Sequence, residues 1–504
     1  MNSSKSIGNI VFNYGSKFFS LISVFVFIPL YIKYVGIESY AVIGFYGLLL
    51  GIVSFADAGL SSAVIKEFAS AESTSYKFSI LRLIEKRYIF ICFILMLIIV
   101  FFAPLIAENW LTSETIPIEK LSYYIRLIGI GISLQLLSSL YFGSLFGMGF
   151  QIEANMLQII WNMFKSFLVI LPLIFIESNL EVFFLWQIAC NLIFVVILRW
   201  RTIKQLEKVG PKLTQILNKI PKPIIQYVSG MVLIALMSSI NSQADKVVTS
   251  SVFPLKLYAY YTLASTVAQI PVMLAVPMSI SLFPVISRFV SRGQKTELKI
   301  LFEKSTFILN NIIFVAVFAL IFYTKEVILL WTGSSIETTS LSEVLLTTKL
   351  LVIGSALLAL QFLLYYVLLS FNKTKYNVMQ GIFQIGLGIP ILYFFIFKIG
   401  MAGGGISWIA INGGGLIFLF LIVTTHFVKV QRFGFVFKNY FVPFMISLAV
   451  FFCVYFGYQS FSLNFIITAF LSCLISILLN VIYYNFRNHR SWFDYKNIIN
   501  LYAQ

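Results

Sequence analysis

Long apolar stretches alternate with short polar connections along the whole chain. A helix that crosses the hydrocarbon core of a membrane needs about 20 mainly apolar residues. Stretches of that length predict fourteen spans, at residues 9–32, 40–65, 87–106, 123–148, 155–176, 180–199, 224–250, 258–286, 306–324, 345–371, 376–397, 403–427, 439–457 and 463–486. The pattern therefore predicts an all-α polytopic membrane protein, and the connections are too short to form a soluble domain.

Polar and aromatic positions of the first half recur in the second half at a nearly constant spacing. The matched pairs at a spacing of 222 residues are Asn155 and Asn377, Gln158 and Gln380, Asn162 and Gln384, and Trp186 and Trp408. Tyr40-Ala41 and Tyr258-Ala259 match at 218 residues. Matches in one order at nearly one spacing indicate a duplicated helical bundle. Transporters are commonly built in this way, with the substrate site between the two repeats.

The repeat predicts two pseudo-symmetric lobes of six helices each and two additional helices at the C-terminal end. The predicted divisions are an N-terminal lobe (1–200), a cytoplasmic linker (201–223), a C-terminal lobe (224–430), and the last two helices with a cytoplasmic tail (431–504). The linker alternates basic and apolar residues, which is typical of a segment that lies on the membrane surface.

Composition and charge support a membrane location. The chain is 60% hydrophobic and 11% charged, whereas soluble domains carry about 25% charged residues. With the N-terminus in the cytoplasm, 26 of the 36 Lys and Arg residues lie on the cytoplasmic side or at the span ends that face it, and 7 lie on or near the outer side. The remaining three, Lys17, Lys165 and Lys246, lie well inside spans. This asymmetry predicts that both termini are cytoplasmic. It also accounts for the net charge of +17, so no nucleic-acid partner is expected.

Two reporter fusions test this orientation. A reporter fused after Gln504 and a second reporter inserted within residues 201–223 should both report a cytoplasmic location, because both positions lie on the Lys- and Arg-rich side. An external location at either position would show that the predicted topology is wrong.

Lys165 is the charged residue that the pattern places deepest in the membrane. It lies about ten residues, or roughly 15 Å, from the cytoplasmic start of its span. A charge at that depth is costly unless it faces water or a partner. Gln158, Asn162 and Lys165 share one helix face, which predicts a polar cavity with a cationic N-terminal wall. The alternative is that Lys165 pairs with a neighbouring helix for packing. The equivalent stripe of the second half is Asn377, Gln380 and Gln384, with Leu387 at the position of Lys165.

Lys17 and Asp57 are predicted at similar depths in the first two spans, about 12 and 13 Å from the cytoplasmic ends. Consecutive spans run antiparallel, so the two side chains can form an ion pair. Such a pair has either a structural or a functional role, and Lys17 can also extend towards the membrane surface.

Asp245 and Lys246 are adjacent in the seventh span, where neighbouring side chains point about 100° apart. Either one of them faces a cavity, or both have structural partners. A carboxylate in a transport cavity is a natural proton or sodium site. Asp57 and Asp245 are therefore the candidates for coupling to H⁺ or Na⁺. Without a metal-ligand cluster, nucleotide loop or nucleophile triad in the sequence, neither a cofactor nor an enzymatic activity is expected.

Short motifs along the chain resemble those of a known transporter family. They are Asn13-Tyr14, Pro29-Leu30-Tyr31, the run from Val35 to Tyr40, Asp57-Ala58-Gly59-Leu60 before Lys66, Ala244-Asp245-Lys246, Tyr258-Ala259 and Phe283-Pro284. With these motifs, nearly the whole chain resembles the Wzx-type flippases of O-antigen or polysaccharide repeat units. That family lies within the MATE-like multidrug/oligosaccharidyl-lipid/polysaccharide exporter superfamily.

The resemblance implies two six-helix lobes around a central cationic cavity, with two extra C-terminal helices. It implies that a polyprenyl-pyrophosphate-linked oligosaccharide moves from the cytoplasmic to the periplasmic leaflet of the inner membrane by alternating access. Lys165, Lys17 and Lys246 would supply the cavity cations, and the Asn and Gln stripes would contact sugar hydroxyls. Related cavities often contain arginine, and lysine lacks its bidentate fork. Implied partners are the lipid-linked substrate, membrane lipids and other glycan assembly proteins.

Three alternatives stay open at this point. A lipid II flippase and a cation-coupled multidrug exporter share the expected fold, although three intramembrane cations against two acids argue against the exporter. A membrane glycan polymerase or ligase belongs to another class. Such enzymes commonly use a large outer loop with catalytic Arg or His, and no predicted outer loop here is of that kind.

Overall fold

The computed structural model describes residues 23, 25–70, 73–209, 221–333, 335–461 and 464–488. These residues form helices, and one isolated β-bridge joins Thr112 to Pro254. The helices are α1 (Phe25–Val35), α2 (Ile37–Val53), α3 (Phe55–Ser70), α4 (Thr74–Asn109), α5 (Ile118–Gly147), α6 (Gln151–Asn162), α7 (Ile170–Phe175), α8 (Leu180–Val209), α9 (Lys222–Val252), α10 (Leu255–Ala268), α11 (Ile270–Ser291), α12 (Lys295–Phe322), α13 (Thr324–Thr332), α14 (Thr338–Ser370), α15 (Thr374–Ile399), α16 (Met401–Ile422), α17 (Arg432–Val436), α18 (Val442–Phe461) and α19 (Phe465–Asn488).

Eleven helical segments of the described residues are long and apolar enough to cross a membrane. They correspond to the predicted spans three to six and eight to fourteen. The predicted total of fourteen is not confirmed. Most of the first span lies outside the described residues, the second is divided at Ser54 into α2 and α3, and the seventh, in α9, is not among the eleven. Both of these segments contain polar residues: Ser54 lies in the second predicted span, and Asn241 and Ser242 lie in the seventh.

The first compact unit comprises Met1–Ala259. In it, α5 packs against α3, α4 and α8, and α9 packs against α2 and α3. Glycine permits the close approach of α5 to α3, because a Cβ on Gly147 would lie 2.8 Å from the carbonyl oxygen of Ile65. Small residues play this role where membrane helices pack without help from the hydrophobic effect.

The second compact unit comprises Tyr260–Gln504. Here α14 packs against α11 and α16, α15 packs against α16, and α18 and α19 pack against each other and against α12. Glycines again bring helices together: a Cβ on Gly405 would lie 2.5 Å from Leu350 of α14. The two units therefore use the same packing device.

One pair of helices begins at nearly the spacing of the sequence repeat. α6 and α15 begin 223 residues apart, at Gln151 and Thr374. Each is preceded by a turn residue with positive φ, Gly149 at 88° and Asn372 at 56°, and glycine and asparagine are the residues that tolerate this conformation best.

The predicted lobe boundary lies earlier in the chain than the boundary of the compact units, since α9 packs within the first unit. Span six continues into the predicted linker as α8 to Val209, and the rest of the linker up to residue 220 lies outside the described residues. The division into lobes by sequence repeat stays a prediction.

Candidate functional site

Lys165 lies on a π-helical turn, Met163–Phe167, between α6 and α7. Pro172 of α7 has no N–H to donate to the carbonyl of Leu168 four residues earlier. The Leu168 N–H in turn donates across the wider turn to the Met163 carbonyl at 3.2 Å. Such turns within α-helices are frequent at functional sites.

Side chains of two other helices hold the carbonyl groups of this turn. Tyr31 Oη donates to the Ser166 carbonyl at 2.7 Å, Trp186 Nε1 to the Phe164 carbonyl at 2.9 Å, and Gln187 Nε2 to the Lys165 carbonyl at 3.1 Å. Tyr31 belongs to α1, and the other two donors are consecutive residues of α8. Side chains of α1 and α8 therefore donate to carbonyl groups that would accept from backbone N–H groups in a regular helix.

The Lys165 amine points to neutral oxygen atoms and aromatic rings. Nζ donates to Gln135 Oε1 at 2.7 Å and to Tyr46 Oη at 3.3 Å. Tyr46 Oη itself donates to Gln135 Oε1 at 2.7 Å. Nζ also lies 4.7 Å from the ring centroid of Trp161 and 5.3 Å from that of Tyr46. Both distances are within the range of cation–π attraction.

No carboxylate of the described residues lies within 4.0 Å of the Lys165 amine. The ion pairs found in this part of the chain are Arg199–Glu85 and Arg201–Glu153, both at the other end of α8 from the residues that hold the turn. A partly buried cation without a counter-ion creates a positive field where an anion can bind. The Lys165 site, defined here as Lys165 with Gln135, Tyr46 and Trp161, can therefore attract a phosphate group.

The polar stripe beside Lys165 is only partly enclosed. Gln158 and Asn162 are partly buried on α6, and Asn155 at its start is buried. In α9, Asp245 is buried while Lys246 is partly buried. The described contacts do not bring Asp245 or Lys246 to the Lys165 amine, so their predicted roles in ion coupling and substrate binding stay predictions.

Asp57 is surrounded by hydroxyl groups. Its Oδ1 accepts hydrogen bonds from Ser61 Oγ and from Tyr88 Oη. Tyr88 is fully buried on α4 and its Oη also lies 3.1 Å from the Leu136 carbonyl. Lys17, the predicted ion-pair partner, lies outside the described residues.

A double-mutant cycle tests the predicted pair. If Lys17 and Asp57 form an ion pair, Asp57→Ala and Lys17→Ala should each lower export per inserted molecule, and the double variant should be no worse than either. The coupling free energy should be about 1 kcal/mol or more. Arg82→Gln, which changes an exposed residue of α4, is the control and should show no such coupling to Lys17→Ala. Additive losses for the first two changes would contradict the pair.

The equivalent stripe of the second unit packs inside that unit. Gln380 Nε2 donates to Gln361 Oε1 at 2.5 Å, and Gln361 Nε2 donates to the Asn412 carbonyl at 2.9 Å. Gln384 is buried beside them, near Gly415. The remaining stripe positions are Asn377, whose Nδ2 is 3.5 Å from the Tyr365 carbonyl, and Leu387, which is 50% exposed. A sugar-binding role for this stripe stays a prediction.

The sequence drew attention to Lys165, whose role in substrate binding stays a prediction, but it did not indicate the residues that contact it. Trp161 precedes Lys165 by one helical turn, so the helix period offered a signal for it. Gln135 is a single amide in an apolar span, which was the only sign of a role for it. The sequence around Tyr46 and Gln187 contains no pattern that would have predicted their contacts. In the described part of the chain, no group of three or more His, Cys, Asp or Glu residues could hold a metal ion.

Comparisons with known proteins place this geometry in context. The family described as "polysaccharide biosynthesis protein" matches residues 6–290. None of the curated protein sequences compared with the chain matches it. A solved structure of the lipid II flippase MurJ in an inward closed conformation is similar to the chain, with a TM-score of 0.73 and 18% identity. The match covers 97% of this chain and 100% of that chain.

Transporters of related type are also similar in fold. An inward-facing multidrug resistance MATE family transporter of the MOP superfamily matches with a TM-score of 0.64 and 15% identity, over 83% of this chain and 96% of that one. A MOP superfamily transporter from Pyrococcus furiosus, described by the reverse polarity of its binding pocket, matches with a TM-score of 0.59 and 15% identity, over 84% and 96%. At these identities the likeness concerns the fold.

Proposed function

The chain belongs to the polysaccharide biosynthesis protein family, and from this premise we propose that it is a flippase for a lipid-linked oligosaccharide. The proposed substrate is a polyprenyl-pyrophosphate-linked repeat unit of O-antigen or capsule. The protein moves it from the cytoplasmic to the periplasmic leaflet of the inner membrane, and both of its own termini are cytoplasmic. The multi-pass membrane fold, shared with MurJ and MATE transporters, supports this proposal.

The Lys165 site is the observation that carries the proposal. A pyrophosphate is a compact anion that needs a cation on its way through the membrane. The Lys165 amine has no carboxylate partner among the described residues, and Gln135 and Tyr46 hold it in position. Because lysine acts as a point charge, it can attract a pyrophosphate without demanding one fixed geometry.

Polar residues of both halves complete the proposed pathway. Gln158 and Asn162 lie beside Lys165 and would contact sugar hydroxyls, and the buried Gln380 and Gln384 would do so once their unit rearranges. Exposure of the site alternates between the two sides of the membrane. Movement down a substrate gradient needs no coupling ion, and if an ion is coupled, Asp57 or Asp245 carries it. Further glycan assembly proteins would act before and after this step.

Transport of lipid II and export of drugs are the competing functions within the same fold. The polysaccharide biosynthesis family favours a sugar-bearing cargo over a drug. The cationic character of the Lys165 site disfavours cationic drugs. A glycan polymerase or ligase would be an enzyme, whereas the family and fold are those of transport proteins.

Deletion of the gene tests the proposal and separates these functions. Loss of the flippase should leave a complete polyprenyl-linked repeat unit in the cytoplasmic leaflet, which can be identified by mass spectrometry of membrane lipids. Spheroplasts treated with a glycosidase report its sidedness, because the enzyme reaches only the outer leaflet. Accumulation of lipid II would indicate the lipid II flippase. Single repeat units in the outer leaflet would indicate a polymerase.

A further inference from the structure

A groove runs between α6 and α8 on the surface of the first unit. It consists of two adjoining cavities of 530 and 170 Å³ that share Leu157 and Ile160. The larger cavity contains Glu153 and Arg201, and the smaller one reaches Trp161. The two cavities therefore form one continuous depression, called here the α6–α8 groove.

The groove has the length of a lipid chain in one leaflet. Within the helix that runs from α6 through the π-helical turn, the groove extends from Ile152 to Phe164, which corresponds to about 18 Å at 1.5 Å per residue. The hydrocarbon core of a bilayer is about 30 Å thick, so each leaflet contributes about 15 Å. The smaller cavity is lined by apolar and aromatic side chains such as Phe194, together with Cys190. An acyl chain can lie along these residues, but sugar hydroxyls would find few partners there.

The charged end of the groove provides a phosphate-binding group. Arg201 Nε lies 3.1 Å from Glu153 Oε1, and Gln205 Nε2 donates to Glu153 Oε2 at 2.7 Å. The Arg201 side chain is 36% exposed, so its guanidinium can also reach a phosphate beside the groove. Arg201 and Lys204 also lie over the Trp200 ring, at 5.2 and 4.8 Å from its centroid. Tryptophan and basic residues at a helix end are typical of the lipid headgroup region.

We propose that the α6–α8 groove binds an anionic phospholipid of the cytoplasmic leaflet, with its phosphate at Arg201 and one acyl chain along the groove to Trp161. The predicted topology places the Arg201 end on the cytoplasmic side, where anionic headgroups occur. The carboxylate of Glu153 lies beside Arg201 and repels a pyrophosphate more strongly than a singly charged phosphodiester. The apolar lining also excludes the sugars of the transported substrate. The phospholipid is therefore a ligand that stays bound to the protein and is not the transported substrate.

The groove and the Lys165 site share one wall. Trp161 lines the smaller cavity, stacks on Phe194 with ring centroids 4.6 Å apart, and lies 4.7 Å from the Lys165 amine. An acyl chain in the groove would contact Trp161 and Phe194, which both line the smaller cavity. Occupancy of the groove thereby stabilises the arrangement of the Lys165 site.

Lipid binding to the purified full-length protein tests the charged end. Native mass spectrometry should detect tighter binding of phosphatidylglycerol than of zwitterionic phosphatidylcholine. Arg201→Gln should weaken phosphatidylglycerol binding about fivefold to tenfold. Arg82→Gln, which removes an exposed arginine of α4 outside the groove, is the matched control and should change the binding less than twofold. Equal binding to the Arg201→Gln variant and the unaltered protein would overturn the proposal.

Fluorescence quenching tests the apolar end. Phosphatidylglycerol with brominated acyl chains should quench a component of the tryptophan emission that is missing in Trp161→Phe. Ile193→Trp should fill the groove and lower phosphatidylglycerol binding, whereas Ile482→Trp on α19 should not. The two isoleucines are similarly exposed, at 58% and 60%, and only Ile193 lines the groove.

Two outcomes would overturn the proposal. One is that quenching is unchanged in Trp161→Phe, which would place the acyl chain elsewhere. The other is that polyprenyl pyrophosphate competes with phosphatidylglycerol for Arg201, which would make the groove part of the substrate path. Neither outcome bears on whether the protein flips a lipid-linked oligosaccharide, because that activity is measured separately.

Discussion

Replacement of Lys165 by Ala or Gln should lower export per inserted molecule about tenfold or more, which corresponds to the loss of one charge-assisted hydrogen bond of about 1.5–3 kcal/mol. Lys165→Arg should retain much of the export, because the headgroup is attracted by charge. The measurement is the amount of surface polysaccharide divided by the amount of inserted protein. Lys398→Ala, an exposed lysine of α15 whose amine lies over the Phe394 ring, is the control and should export normally.

A packing role for Lys165 predicts a different pattern. Removal of the amine would then leave Gln135 and Tyr46 hydrogen-bonded only to each other and lower protein abundance. The triple change Lys165→Met, Gln135→Leu and Tyr46→Phe replaces all three hydrogen-bonded groups by apolar groups and should restore abundance in either case. Export should stay low in this triple variant if Lys165 binds substrate. Normal export from normally inserted Lys165→Ala would assign Lys165 to packing alone.

Gly403→Ala should destabilise the second unit by about 3 kcal/mol, the upper range for forcing an atom into a packed site. A Cβ at this position would lie 2.1 Å from the Phe395 carbonyl oxygen and 2.3 Å from its carbon. The clash is with backbone, so α15 or α16 has to shift. The expected result is a lower thermal transition and a smaller monodisperse peak for the detergent-solubilised protein.

Gly414→Ala on the same helix is the matched control. A Cβ there would lie 3.8 Å from Phe383, which is an ordinary contact. Its helix propensity change is the same as at Gly403, so the difference between the two variants isolates the steric effect. Equal stability of both variants would show that α15 and α16 pack less closely at Gly403 than the distance of 2.1 Å to the Phe395 carbonyl oxygen indicates.

The apolar pattern predicted the helices well and their interruptions less well. A stretch such as 40–65 satisfies the length rule for a span, although the chain divides it at Ser54. Hydropathy measures transfer into lipid and does not sense local hydrogen bonding. At this break, Ser54 Oγ donates to the Gly51 carbonyl at 2.7 Å and Ser239 Oγ of α9 donates to the same carbonyl at 2.5 Å. That second contact joins residues far apart in sequence.

Of the Lys165 site, only the charged residue, Lys165 itself, could be predicted from the sequence. A lysine deep in a span is conspicuous because of its desolvation cost. The residues that contact it, Gln135 and Tyr46, come from other helices and are set by tertiary packing. The sequence repeat also predicted similar surroundings for the two polar stripes. The structure instead places Gln380 and Gln384 in a buried amide cluster. The repeat preserves the positions of the helices, but it does not preserve the neighbouring side chains that contact each stripe.

Transport by the purified protein in liposomes tests the central proposal most directly. The liposomes would carry a polyprenyl-pyrophosphate-linked oligosaccharide in their inner leaflet, and a lectin outside would report its arrival in the outer leaflet. We expect the unaltered protein and Lys165→Arg to move the oligosaccharide to the lectin, and Lys165→Ala to move it about tenfold more slowly. No movement by correctly folded unaltered protein in the presence of phosphatidylglycerol, with or without an H⁺ or Na⁺ gradient, would contradict the proposal.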